Sequence, residues 1–249
     1  VMMENFFSIY DALLGSMGRD AECITVNEAM VGQRWAMAST GGHFGIAMAE
    51  HGDSIPPVYK NGLGGLTLAE AAKAAKSWNL AEAAMGHAAL NAYFNTPARL
   101  ESLQCAEPFE NYSTAGLSFR GMTVGVIGHL RLTPQIHAEA KEVLIIERDP
   151  QPGDYPDAAC DYILPRCDAV FITGSALVNK TLPHLLELCR GAYTILTGPS
   201  VPMCPALLDL GIDRLAGLVV TDAAEMRSRV VSGVRGSPYP WGQSFLLKK

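Results

Sequence analysis

At 249 residues, 49% hydrophobic and 18% charged, the chain has the composition of an ordinary globule with one large core or two small ones. With 19 basic against 25 acidic side chains, the net charge is −6, so no broad basic field exists to attract nucleic acid or an anionic membrane surface. No apolar run approaches the ~18 residues of a membrane span, and neither class of partner is expected.

The first segment, Val1–Gly18, carries Glu4 and Asp11, has no basic start, and spaces Phe6, Ile9, Tyr10, Leu13 and Met17 as one face of a helix. It reads as an amphipathic helix of the mature protein and not as a signal peptide. Three short runs follow, Glu22–Glu28, Gln33–Ser39 and His43–Glu50, with Gly32 and Gly41-Gly42 at the turns. Their spacing predicts an antiparallel meander. The Gly- and Pro-rich stretch His51–Leu66 is expected to be a surface loop.

Thr67 opens a helical stretch, with Glu70 three residues on as in a capping box. Lys76-Ser77-Trp78-Asn79 interrupts it, and Asn79 with Glu82 gives a second helix start. The helix Leu80–Tyr93 is dense in Ala and Gly, which suits close packing and burial. Pro97 is expected to close this segment, with Arg99–Leu117 as a linker.

From Met122 the pattern changes. Thr123–Ile127, Val143–Glu147, Ala169–Thr173, Tyr193–Thr197 and Leu218–Val220 are short apolar runs, mostly rich in β-branched residues, as strands covered on both faces should be. Helical stretches at Lys180–Arg190 and Pro205–Leu210 separate later runs, and Ala223–Val231 follows the last. Alternating β and α segments define an α/β domain with a Rossmann-like parallel sheet. In such sheets ligands bind at the carboxyl ends of the strands. The residues to weigh are therefore Gly128-His129, Glu147, Thr173-Gly174-Ser175, Gly198-Pro199-Ser200 and Thr221-Asp222.

The glycine pattern after the first strand, Gly125-Val-Ile-Gly128-His-Leu, lacks the third glycine of a dinucleotide loop, so NAD is disfavoured. Glu147 falls where an acid accepts ribose hydroxyls in a nucleoside-binding sheet, or it simply ends its strand and caps the next turn. His129 could ligate a metal ion, carry a proton, or serve as an ordinary hydrogen-bonding residue. The other histidines, His43, His51, His87, His137 and His184, have no zinc-type spacing. Cys204 reads as a soft ligand or a small apolar filler. The six cysteines are scattered with no C-x-x-C pair, which points to reduced thiols in a cytoplasm. Lys76, in the helix break, would supply positive charge to an anionic ligand if the break faced the sheet. Asp154 and Asp222 would supply negative charge, and Gly153-Asp154-Tyr155-Pro156 reads equally well as a turn.

Taken in order, several segments resemble the two-domain family described as "putative heavy-metal chelation". They are Lys76-Ser-Trp-Asn79, Asn91-Ala-Tyr93, Val124–His129, Gly153–Pro156, Ile163–Pro165 with Cys167-Asp168, Lys180–Pro183 with Leu185–Leu188, Gly198-Pro199, Pro202, Pro205, Gly217 and Asp222. The resemblance implies an α+β domain similar to the enolase N-terminal fold over residues 1–117, with linker, and a Rossmann-like domain over 118–249. It also implies a ligand site in the cleft between them. The residues it carries there are Lys76, Ser77, Asn79, Gly128, His129, Glu147, Thr173, Gly198, Pro199 and Asp222.

The expected ligand is a metal ion, divalent and held in part by His129, or a metal-chelating metabolite. A nucleoside-type cofactor, such as a methyl donor serving an enzyme, is the alternative; a non-catalytic binding module is a third reading. Each half is small for a free-standing core, so the two should share a broad interface, and a homodimer is compatible with that size.

Overall fold

The computed structural model describes residues 7–50, 55–103, 106–108 and 117–249. The first helix, α1, covers Ser8–Gly15 and buries Ile9, Tyr10 and Leu13, the face expected from spacing. Residues 1–6 lie outside the described ones. A 3-10 turn over Arg19–Glu22 then precedes β1 (Glu28–Val31), β2 (Trp35–Ser39) and β3 (Phe44–Met48). These form a three-stranded antiparallel sheet in the order β1-β2-β3. The first strand therefore starts later than its sequence suggested. Thr25 instead bridges Thr67 outside the sheet, and the carbonyl of Ile24 accepts from Leu68 N, which ties this segment to the next helix.

Both predicted helix starts are present. The Thr67 side chain accepts from Glu70 N at the start of α2 (Leu68–Ala72), and Asn79 accepts from Glu82 N at the start of α3 (Leu80–Phe94). A 3-10 turn over Lys73–Lys76 and the extended Ser77 make the break between them. Pro97 does not close the segment. It opens α4 (Pro97–Ser102) under a Thr96 cap, the helical position where proline's missing N–H costs nothing.

β4 (Ala106–Pro108) comes from the stretch expected to be linker and pairs with the last strand of the large sheet. The other elements are β5 (Thr123–Ile127), α5 (Pro134–Glu139), β6 (Glu142–Glu147), β7 (Tyr155–Pro156), α6 (Cys160–Ile163), β8 (Ala169–Thr173), α7 (Ser175–Val178), α8 (Leu182–Leu188), β9 (Tyr193–Thr197), α9 (Ala206–Asp209), β10 (Arg214–Val220), α10 (Ala223–Ser232) and β11 (Gly242–Lys248). They build an eight-stranded sheet ordered β4-β11-β10-β9-β8-β5-β6-β7. All neighbours from β10 to β7 are parallel, and β11 is antiparallel to both β10 and β4. The chain moves outward from β5 to β6 and β7, then returns to the other side of β5 to begin β8. The topological switch point thus lies between β5 and β8.

One hydrophobic core runs through both halves, from Tyr10, Ala88 and Phe94 to Ile172, Leu177, Met203 and Leu215. At its centre is α3, whose small residues permit unusual proximity. A Cβ at Gly45 of β3 would overlap the carbonyl of Ala88, and one at Gly86 would overlap the backbone of Ala75. Along one side of α3, His87, Asn91 and Asn95 recur at four-residue spacing, and all three are buried. Asn91 Nδ2 donates to Ile46 O (2.7 Å) and Pro199 O (3.2 Å). Asn95 Nδ2 donates to Val201 O (2.9 Å) and Leu218 O (3.1 Å), while its Oδ1 accepts from Met203 N (2.8 Å). These amides hold the β9–α9 loop, and with it the wall of the switch-point edge, against the N-terminal half.

Further bonds cross the same interface. Tyr10 donates its hydroxyl to Leu177 O (2.8 Å), and Ser200 Oγ accepts from Met48 N (2.8 Å). Lys180 crosses it from a left-handed backbone position (φ 69°), which a side chain adopts only under constraint. Its buried Nζ donates to Ala75 O (2.7 Å) and Val178 O (3.1 Å) and sits over the Tyr10 ring. Burial without a carboxylate partner among the described residues pulls its amine down to about 7.

Asn95→Ala would strand three buried backbone groups and is expected to cost about 2–4 kcal/mol, read as a lower urea midpoint with unchanged slope. Lys180 generates a pH dependence. The unfolded amine stays protonated up to about 10.5 whereas the folded one loses its proton near 7, so stability climbs as pH rises through that window and sits on its lower plateau below it. Urea titrations should show this climb in the parent chain, and Lys180→Met should flatten it.

Candidate ligand site at the switch point

The carboxyl ends of β10, β9, β8, β5 and β6 open into a cleft of about 1930 Å³, bordered from the N-terminal half by Arg34, Trp35 and Met48. Gly128, His129, Glu147, Thr173, Gly198 and Pro199 all line it. The turn after β5 depends on Gly128, which has φ 93° and donates its N–H to Ile146 O (3.0 Å). A Cβ there would also press on the Thr173 side chain at 3.1 Å. Gly198, at φ 118°, makes the equivalent turn after β9 and donates to Ala216 O (2.9 Å).

This geometry sets His129 among carboxylates. Its backbone N–H donates to Glu147 Oε2 (3.1 Å), and its ring Nε2 lies 2.6 Å from Asp154 Oδ2. Asp154 also accepts from Gln151 N (2.8 Å), inside the turn at Gly153. The imidazole, followed by the Gln151 amide, holds the Asp154 carboxyl below the usual carboxylate range. An ionised Asp154 can only accept, so Nε2 carries a proton and donates. Nδ1 lies 3.7 Å from Glu147 Oε2. Glu147 Oε1 accepts from Arg148 N (2.7 Å), and Arg148 reaches across to both oxygens of Glu50 at 2.9 and 2.8 Å.

Lys76, Ser77, Asn79 and Asp222 do not line this cleft. Lys76 Nζ is bonded to the Asp11 carboxylate and lies over the Phe7 ring, so its charge is already matched where α1 meets the helix break. Ser77 Oγ donates to Glu82 Oε2 (2.6 Å), Asn79 caps α3, and Asp222 caps α10 by accepting from Glu225 N (3.0 Å). Each of these polar residues has a local backbone or charge partner. Cys204 is fully buried and burial pushes its thiol up, the behaviour of an apolar filler.

Of two further participants, Asp154 was marked in the sequence only as a source of negative charge and Thr197 was not singled out. Asp154 becomes the imidazole partner only because β7 pairs beside β6 and carries its preceding turn to the strand ends. Thr197, the last residue of β9, lines the cleft with a buried hydroxyl that has no hydrogen-bond partner among the described residues. Looking at the final strand residue as well as those after it would have found it. No group of three or more His, Cys, Asp or Glu side chains able to hold a metal ion occurs among the described residues. Nor is any helix among them long and apolar enough to cross a membrane.

A parallel sheet with its cleft at the switch point, fused through a common core to an antiparallel meander, defines a two-part α/β protein with a Rossmann-like sheet. The chain belongs to the DUF364 family, described as "Putative heavy-metal chelation", whose profile matches residues 116–240. A second profile of the same description, DUF4213, matches residues 14–94. The chain is 33% identical to a DUF364 protein of unknown function from Desulfitobacterium hafniense DCB-2, whose crystal structure superposes with a TM-score of 0.87 over 100% of both chains. A DUF364 protein of unknown function from Pyrococcus horikoshii shares the fold, with a TM-score of 0.76 at 20% identity over 98% of this chain and 99% of its own. An uncharacterised protein of Methanocaldococcus jannaschii is 32% identical over 158 residues, which span 59% of this chain and 58% of that relative's length.

Proposed function

We propose that this protein binds a small metal-coordinating metabolite in the switch-point cleft, as part of heavy-metal handling in the cytoplasm. The observation that carries this reading is the cleft itself. At about 1930 Å³ it exceeds the ~300–1,000 Å³ of a typical small-molecule pocket, and it offers scattered hydrogen-bonding groups, not a cage of converging donors. Such a surface suits an organic ligand that brings its own metal-coordinating atoms. The family description "Putative heavy-metal chelation" supplies the metal side of the reading.

In this account Glu147 accepts from a ligand hydroxyl or amine with the lone pairs its backbone partners leave free, and His129 moves a proton through Nδ1. Thr173 and the Gly198-Pro199 turn shape the floor. A second reading, a nucleoside-type cofactor with Glu147 on its ribose, is favoured by one feature. Glu147 ends the strand beside β5, and its Oε2 would lie 3.8 Å from a Cβ at Gly128, where the loop of a nucleoside-binding sheet sits.

Native and denatured mass spectrometry of anaerobically purified protein tests both. The proposal predicts a gap of at least a few hundred daltons containing a metal, diminished in His129→Ala and Glu147→Gln but retained in Lys76→Ala. A metal-free gap of nucleoside mass, lost in Glu147→Gln, selects the second reading. A gap equal to one bare ion, or one lost only in Lys76→Ala, contradicts the proposal.

A further inference from the structure

Charge is distributed unevenly along the cleft. Near β6 it is lined by Glu147, Asp149, Asp157 and Asp161, with His129 held by Asp154, Arg148 by Glu50 and His184 by Asp161; Arg131, after β5, is the cation of that side without a carboxylate partner among the described residues. Near β10 and β11 the lining consists of Arg34, Trp35, Arg235, Tyr239, Gln243 and Ser244, without a carboxylate. Arg34 extends over the Trp35 indole, 6.0 Å from the ring centroid. The segment leading to Arg235 passes beside the turn that carries Arg34, since a Cβ at Gly233 would lie 3.5 Å from Cβ of Gln33.

Neither Arg34 nor Arg235 has a carboxylate partner among the described residues, in a chain where acidic side chains outnumber basic ones. Arg99, Arg227 and Arg229 are each paired, with Asp20, Glu28 and Glu225. Thr197 is the second and independent observation. It is 1% exposed, lines the same cleft between β8 and β10, and its Oγ1 has no hydrogen-bond partner among the described residues. Buried hydroxyls are rarely left this way unless a ligand or water completes them.

We propose that the β10 end of the cleft is a subsite for an anionic group, carboxylate or phosphate, gripped by the guanidinium groups of Arg34 and Arg235, with a further ligand oxygen on the Thr197 hydroxyl. The inference rests on the reading of this cleft as the ligand site and adds the ligand's chemical class. The metabolite is elongated and anionic at one end, and its hydroxyl, amine or metal-bearing end lies toward Glu147. Guanidinium forks suit both carboxylate and phosphate oxygens.

The test is calorimetric titration of the full chain with citrate and, separately, with inorganic pyrophosphate, at low and at high salt. At least one anion should bind, more weakly as salt is raised. The double variant Arg34→Met/Arg235→Met should weaken that binding by about tenfold or more, because charge-assisted bonds are lost. Thr197→Val, nearly isosteric, should weaken it about three- to tenfold, the worth of one hydrogen bond. Both variants should keep the parental melting temperature within the usual small surface effect, which separates lost binding from lost folding. Citrate alone identifies a carboxylate subsite, and pyrophosphate alone a phosphate subsite. Anion binding unchanged in the double arginine variant but reduced in Thr197→Val or Glu147→Gln overturns the subsite and leaves the cleft reading standing. Binding unchanged in all of these overturns both, and failure of both anions to bind overturns the subsite.

Discussion

Asn91 and Asn95, one turn apart on α3, share five hydrogen bonds with backbone groups of β3, β10 and the loop after β9. Buried amides tolerate little displacement, because each broken bond leaves a polar group in a dry interior. The spacing between the antiparallel meander and the parallel sheet is therefore fixed at the place where the cleft begins. The glycine contacts at Gly45 and Gly86 permit α3 to sit deep enough for those amides to reach. Without this arrangement the Gly198-Pro199 turn would have no partner across the interface, and Trp35 and Met48 would not border the strand ends.

The fold was legible where local patterns dominate. Thr123–Ile127, Ala169–Thr173 and Tyr193–Thr197 are strands over the very residues their apolar runs marked, and Thr67 and Asn79 cap the helices they were expected to cap. What escaped depends on pairing at a distance. β11, with Gly242, Gln243 and Ser244 in its first half, has no apolar run there and becomes a strand because it lies antiparallel along β10. β4 is a strand for the same reason, at the sheet edge. Glu22–Glu28 looked extended by composition, yet its first residue completes a 3-10 turn.

The site divided along the same line. Gly128, His129, Glu147, Thr173, Gly198 and Pro199, marked by one rule, that ligands collect where parallel strands end, line one cleft. Lys76, Ser77 and Asn79 were drawn in by residue type and resemblance and Asp222 by the strand-end rule as well; each has a local partner and lies outside that cleft. A lysine in an alanine-rich stretch carries no sign of the aspartate one helix away that neutralises it. The reverse holds for Lys180, which sits in an ordinary-looking turn between α7 and α8. Its side chain is nevertheless buried across the interface, with only carbonyl oxygens to receive its protons. The unpaired hydroxyl of Thr197 was equally invisible, because an apolar strand end and a cleft floor look the same along a sequence.

The account stands on the claim that the switch-point cleft, and not the helix break at Lys76–Asn79, receives the ligand. The most direct measurement is a crystal structure of protein that still carries the mass of its co-purified ligand. The account predicts connected non-protein density between Glu147 and Thr197, in contact with Thr173 and the Gly198 turn. Density seated instead against Lys76 and Asn79, with the cleft open, would contradict it.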